Sequence, residues 1–317
     1  MNGTFFVLGA RGVQGRPVAR AFAASGCRVV TPTRSAAAAA ELAHEGFSPV
    51  VVDVHDTGAV RSALAGCDGA FLHIPTGGPP EGAGGAAGAS PRPSNADAII
   101  SLLKVIGDPS LRGPRGALFR TVVSTSGIVP VDDERARGFA GTIRLGRVLM
   151  SMRSTVLTLR PTMFLEDLLD TSPLERVLGV GGGRESEPGV LRYPLGVRER
   201  IAWVTAEAVG RHAAAVLLAA EWSPDWFAVL GGRVLSVSQV AGLIGKRVGR
   251  AIIAADWQVD AYERELSRTI GPDSATSTAD VYRTIAANFE QLRGALAGER
   301  RVMIADPVDV WLATLPG

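Results

Sequence analysis

Short apolar runs, each followed by a stretch with helical spacing, succeed one another from the start of the chain. Thr4–Leu8 reads as a first strand. Beyond a glycine turn, Val18, Ala21 and Phe22 fall at i, i+3 and i+4, and Gly26 is a suitable helix stop. The same alternation continues. Arg28–Thr31 reads as strand, Ser35–His44 as helix, Pro49–Asp53 as strand, Thr57–Leu64 as helix and Ala70–Ile74 as strand, with β-branched or apolar runs again at Thr121–Ser124 and Val156–Leu159. Strands that alternate with helices predict an α/β protein whose parallel sheet is covered on both faces. Right-handed crossovers then give the doubly wound strand order 3-2-1-4-5-6 of a Rossmann sheet. After Pro161 the pattern loosens, with loops over Gly179–Gly189, a strand near Ile201–Val204, a helix over Glu207–Ala220 and a helical C-terminal section. The expected organisation is a Rossmann domain over 1–161 and a smaller substrate lobe over 162–317, with some segments of the lobe returning to the sheet.

Composition narrows this picture without changing it. A chain of 317 residues with 46% hydrophobic and 20% charged residues can bury a large core and is unlike a disordered one. The net charge of +2 is a small difference between 33 basic and 31 acidic residues, so there is no electrostatic case for nucleic acid despite a pI near 8.8. No apolar stretch approaches the roughly 18 residues needed to span a bilayer, and the N-terminus reads as a strand with no basic leader. Cys27 and Cys67 lack metal-ligand spacing; with Cys27 placed in a buried strand, both read as reduced thiols of a cytoplasmic protein. Homo-oligomers remain open. Residues 76–94 form a Gly/Pro/Ala/Ser tract that leaves the carboxyl edge of the sheet, either a lid or a tolerated insertion.

The strongest chemical signal is Gly9-Ala10-Arg11-Gly12-Val13-Gln14-Gly15, a G-x-x-G-x-x-G turn between a strand and a helix. Missing side chains there let the backbone approach a pyrophosphate, and the N–H groups opening the helix point at it. NAD binders place an Asp or Glu at the end of the second strand, against the ribose hydroxyls. Here that position reads Val30-Thr31-Pro32-Thr33-Arg34. Arg34 and Arg11 are placed to flank a 2′-phosphate, which predicts NADP(H) as cofactor. In so arginine-rich a chain, the competing reading is two ordinary surface residues.

The stretch GARGVQGRPVARAFAASGCRVVTPTR resembles the opening of NmrA-like proteins, atypical members of the short-chain dehydrogenase/reductase superfamily. DVHDTGAVRSALAGCDGAFLHIP, VVSTSGI, VLTLRPTMFLEDLL and RIAWVTAEAVGRHAAAVL follow in the order of that family's segments. The resemblance implies that Asp53 and Val54 lie near the adenine, His73, Ile74 and Pro75 along the ribose and pyrophosphate, Ser124 near the nicotinamide ribose, and Pro161 with Thr162 beside the nicotinamide. A lone histidine such as His73 is more commonly a satisfied edge residue.

One absence bears on chemistry. Many members of the wider superfamily use Tyr-x-x-x-Lys, in which a nearby ammonium favours the phenolate and lets tyrosine move a proton. Tyr193, Tyr262 and Tyr282 are the only tyrosines, and none lies four residues before Lys104 or Lys246, the only lysines. Where relatives often keep a lysine, this chain reads Gly141-Thr142-Ile143 with arginines at 144 and 147, and arginine is a poor proton donor. The remaining proton-transfer candidates are Ser126, the cluster Asp132-Asp133-Glu134 (represented by Asp133), and Glu166-Asp167 (represented by Asp167). Solvated loop charge is the competing account of each. No metal constellation is evident.

Two functions are compatible with these residues. One is an NADPH-dependent reductase of a flat, quinone-like or conjugated carbonyl substrate, resembling the quinone and isoflavone-type reductases and the tailoring enzymes of bacterial aromatic natural-product pathways. The other is an NADP(H)-bound protein without redox chemistry, either a redox-sensing regulator or a tailoring enzyme that catalyses coupling.

Overall fold

The computed structural model describes residues 3–73, 95–125, 140–152, 156–171, 177, 187–222, 228–297, 301–303 and 307–316. The predicted strands form one parallel sheet: β1 (Thr4–Val7), β2 (Arg28–Thr33), β3 (Ser48–Val51), β4 (Gly69–His73), β5 (Arg120–Ser124) and β6 (Val156–Pro161) run in the order 3-2-1-4-5-6. Two later strands, β10 (Ala228–Gly231) and β13 (Arg301–Met303), extend that sheet in parallel beyond β6, making eight strands.

The helices follow the apolar spacing. On one face, α1 (Gly15–Ala24) buries Val18, Ala19 and Phe22, and Phe22 stacks on Phe5 of β1 with ring centroids 4.2 Å apart. A buried phenylalanine of this kind contributes about 1.5–3 kcal/mol. Beside it lies α7 (Ala206–Leu218), which begins on Thr205, whose hydroxyl accepts the Ala208 N–H. Gly210 makes that packing possible: a Cβ there would stand 2.6 Å from the Pro17 side chain and 2.8 Å from the backbone nitrogen of Val18. The opposite face is covered by α3 (Thr57–Leu64), α4 (Asn95–Ile106) and α5 (Ala140–Met150), around Phe6, Leu64, Leu72, Ile99, Leu103, Val123 and Leu145. On the α1 face, α2 (Ala36–His44) connects β2 to β3, starting on Ser35, whose hydroxyl accepts the Ala38 N–H, and buries Leu42 in the cluster of Phe5 and Phe22.

Three expectations shift in detail. The second strand continues to Thr33 through Pro32, which is tolerated because it lies past Val30, the last residue of β2 that pairs with β1. The third strand ends at Val51, leaving Asp53 in the turn before α3. Cys27 precedes β2 and is half-buried, whereas Cys67 is buried.

The chain beyond β6 builds a second core as well as the two added strands. Its sheets are β7 (Met163–Phe164), β9 (Arg200–Val204) and β11 (Val234–Ser236) in one, and β8 (Gly189–Tyr193) with β12 (Ile252–Asp256) in the other. Around them pack α6 (Glu166–Thr171), α8 (Val237–Val248), α9 (Val259–Ile270), α10 (Pro272–Ala297) and α11 (Pro307–Ala313). Tyr193, Trp203, Tyr262, Tyr282 and Trp311 are buried in that core. No helix of the described residues is long and apolar enough to cross a membrane.

Candidate functional site

Parallel strands place all their carboxyl ends along one edge, and Gly9–Gly15, Arg34, His73, Ser124 and Pro161 lie at or just after those ends. The chain leaves β1 through Leu8, whose N–H donates to the Phe71 carbonyl (3.0 Å), and turns at Gly9 with φ +71°. That conformation disfavours any side chain, and so does the space: a Cβ on Gly9 would come within 2.6 Å of His73 Nε2. His73, at the end of β4 and buried, therefore packs directly against the turn. The turn closes on itself, with the Gly12 N–H donating to the Gly9 carbonyl at 2.8 Å. At Gly15 a Cβ would meet the Gly9 carbonyl oxygen at 2.3 Å and that of Leu8 at 2.7 Å, so only glycine lets α1 start this close to β1.

The helix α1 begins without a side-chain cap. The amide oxygen of its N-cap, Gln14, instead accepts the hydroxyl of Ser124 at 2.9 Å. Ser124 ends β5 and is buried. Two residues named separately in the sequence thus form one contact across the sheet edge. A turn of closely packed glycines and a helix start without a side-chain cap are features that suit a dinucleotide pyrophosphate. The residues present fit the cofactor.

On the β2 side, Arg34 is exposed and forms no ion pair among the described residues. Arg11 reaches across to α2 and pairs with Glu41, Nη2 to Oε2, at 2.9 Å. The sequence reading overlooked Glu41, an exposed acid in an alanine-rich helix whose spacing alone carries no sign of the turn. Asp53 is exposed, accepts the His55 N–H at 3.0 Å and is followed by half-buried Val54. At the end of β6, Pro161 and Thr162 are buried. Ile74, Pro75, Ser126, Asp132, Asp133, Glu134 and the 76–94 tract lie outside the described residues.

The lobe core holds the phenol groups. All three tyrosines lie inside it, edge-on to one another: the ring centroids of Tyr193 and Tyr282 are 5.6 Å apart and those of Tyr262 and Tyr282 are 5.4 Å apart. The Tyr282 hydroxyl donates to that of Tyr193 at 3.5 Å. Burial pushes both phenols well above the ordinary tyrosine range, and the charge of nearby Asp167 adds to it in each case. These phenols stay protonated and locked in the core. Asp167, on half-buried α6, thus lies close to the lobe phenols; its neighbour Glu166 accepts the Ala206 N–H at the start of α7 at 2.9 Å. Among the described residues there is no cluster of acids, histidines or cysteines able to hold a metal.

Residues 9–106 match the family model for NAD(P)H-binding domains. None of the curated proteins matches the chain in sequence. Solved structures share its fold at low identity. A nucleoside-diphosphate-sugar epimerase from Staphylococcus aureus superposes with a TM-score of 0.64 at 13% identity, over 98% of this chain and 99% of its own. The NADPH-dependent quinone oxidoreductase QOR2 of Escherichia coli, complexed with NADPH, gives 0.60 at 18%, over 97% and 99%. Nmra, a negative transcriptional regulator, gives 0.62 at 13%, over 100% and 96%.

Proposed function

We propose that this chain, an NAD(P)H-binding Rossmann protein with the fold of the NmrA-like atypical short-chain dehydrogenases/reductases, is an NADPH-dependent reductase of a flat, quinone-like or conjugated carbonyl substrate. The observation that carries the reading is the uncapped glycine turn, with Arg11 inside it and Arg34, not an acid, at the end of β2. A carboxylate there would receive ribose hydroxyls and repel a 2′-phosphate; guanidinium groups do the reverse.

In this reading the turn from Gly9 to Gly15 holds the pyrophosphate with backbone N–H groups, and Arg11 and Arg34 hold the 2′-phosphate. Asp53 and Val54 border the adenine. His73, Ile74 and Pro75 run along the ribose and pyrophosphate. The Ser124–Gln14 contact fixes the nicotinamide-side ribose, and Pro161 with Thr162 walls the nicotinamide ring. When bound, the reduced nicotinamide supplies a hydride. Residues 162–317 supply the substrate lobe, apart from α7, which packs on α1, and β10 and β13, which extend the sheet.

The substrate class follows from what the protein withholds. With its phenols sealed in the lobe core and no Tyr-x-x-x-Lys pair, the chain offers little proton assistance. A quinone-like acceptor needs little, because delocalisation already stabilises its reduced form; catalysis is then chiefly positioning. Ser126, Asp133 and Asp167 are the groups left to pass a proton through water. A cytoplasmic enzyme working on a small apolar substrate fits these features. The sealed phenols equally suit a cofactor-bound protein without redox chemistry, a regulator or a coupling enzyme, and the Nmra likeness keeps that second reading.

The deciding experiment is titration of the protein with NADPH and with NADH, repeated on Arg34→Ala, followed by NADPH oxidation with a panel of quinones. Tight NADPH binding that weakens in the variant, with quinone-dependent oxidation, supports the reductase. Binding without turnover supports the second reading, and no nucleotide binding removes both.

A further inference from the structure

Arg11 is the only charged residue within Gly9–Gly15, and its guanidinium is engaged by Glu41 rather than open to a ligand. Both side chains are more than half exposed, 54% and 59%. A pair so wet is weak and readily exchanged for a better anion. Glu41 sits on the helix that Ser35 starts, immediately after Arg34, so one β2–α2 unit carries both an arginine aimed at a 2′-phosphate and a carboxylate. Just past the end of α2, Glu45 pairs with Arg16 of α1 at 3.1 Å.

We propose that Glu41 is a specificity-determining residue of the nucleotide site, an internal anion that competes with the 2′-phosphate for Arg11 and so restrains the preference for NADPH over NADH. The inference rests on the assignment of the glycine turn and its arginines to NADP(H). To serve the phosphate bidentately, Arg11 must turn from Glu41, leaving a carboxylate beside a dianion. NADH carries no 2′-phosphate and leaves the pair intact. Glu41 therefore taxes one nucleotide and not the other, and the site keeps a measure of affinity for both.

The test is the ratio of NADH to NADPH dissociation constants, measured by titration on the full chain. Glu41→Gln and Glu41→Ala, both at an exposed helix position, are expected to tighten NADPH binding about three- to ten-fold while NADH changes little. Glu45→Gln, which removes the same formal charge at the cap just past α2, is expected to leave the ratio unmoved. In an Arg11→Ala background the Glu41→Gln gain shrinks, because there is no guanidinium left to contest. A ratio that stays constant or falls in both Glu41 variants overturns the inference while leaving NADPH binding assigned; a tightening equal for the two nucleotides overturns it as well. If the unmodified protein binds no NADPH, the assignment of the site fails first and this inference with it.

Discussion

Single residues carry the turn. At Gly15 the atom a Cβ would strike is backbone, the Gly9 carbonyl oxygen, and backbone cannot step aside as a side-chain end can. Gly15→Ala is expected to abolish nucleotide binding and to cost about 1–3 kcal/mol of stability, measured by titration and by urea unfolding. At Gly9 the nearer atom is the His73 imidazole, and the positive φ adds about 1–2 kcal/mol for any L side chain. The thiols differ in the same local terms. Burial, then the Asp68 charge, pushes Cys67 up to about 12, while half-buried Cys27 is raised less far. A thiol reagent at pH 8 should therefore label Cys27 in the folded protein and reach Cys67 only on unfolding; equal rates would refute the burial. Asp108 works in the opposite sense. Its carboxylate accepts the hydroxyl and N–H of Ser110 at 2.7 and 2.8 Å and pairs with Arg61, and these contacts hold it down to about 2. The folded value lies below the unfolded value of about 3.9, so its contribution is complete above that pH and lost as pH falls towards 2. Ser110→Ala should lower stability near neutrality, where the carboxylate is charged, and leave it nearly unchanged at pH 2, so that the acid limb of stability against pH flattens.

Elements were the most legible scale. The alternation of apolar runs and helical spacing contains the six-strand order because strand, crossover hand and short connections leave few alternatives. It also contains the glycine turn, since three glycines between a strand and a helix are a local signal. What it lacks is contact between distant segments. Nothing around Gln14 foretells Ser124, which lies 110 residues away; nothing in the 36–44 helix points to Arg11; and neither β10 nor β13 stands out in a C-terminal half read mainly as helix. Gly210 is another such case, an unremarkable glycine in an alanine-rich helix whose meaning lies in Pro17 and Val18 of α1. Because α1 cannot retreat without moving the turn at its start, Gly210→Ala is expected to destabilise the protein by about 1–3 kcal/mol and also to weaken NADPH binding. Unfolding and titration on one sample separate the effects: loss of stability with full affinity would show that α1 and the turn move independently.

For the whole molecule, the chain passes out of the sheet after β6 and returns twice, at β10 and at β13, with lobe segments before, between and after. The C-terminal α11 then puts Trp311 and Leu312 into the lobe core. The sheet is not complete on the first 161 residues, and the lobe core is interrupted by α7, β10 and β13, which belong to the sheet side. Thermal unfolding is accordingly expected as one transition by calorimetry, moved upward as a unit by NADPH, and a chain ended at residue 297 should lose both cores; two resolved transitions would contradict this.

The aromatic cluster of the lobe makes this directly visible. Every tryptophan and tyrosine of the chain lies at or beyond residue 193, so residues 1–161 carry no indole or phenol; Trp222, under the Arg120 guanidinium, packs against the first core, whereas Trp203, Trp311 and the tyrosines lie in the lobe core. Intrinsic emission comes chiefly from the lobe. Any change in it on adding nucleotide is a message carried across the molecule, either through the packed chain or by energy passing from indole to the reduced nicotinamide, and the oxidised cofactor, which does not accept that energy in the same way, tells the two apart.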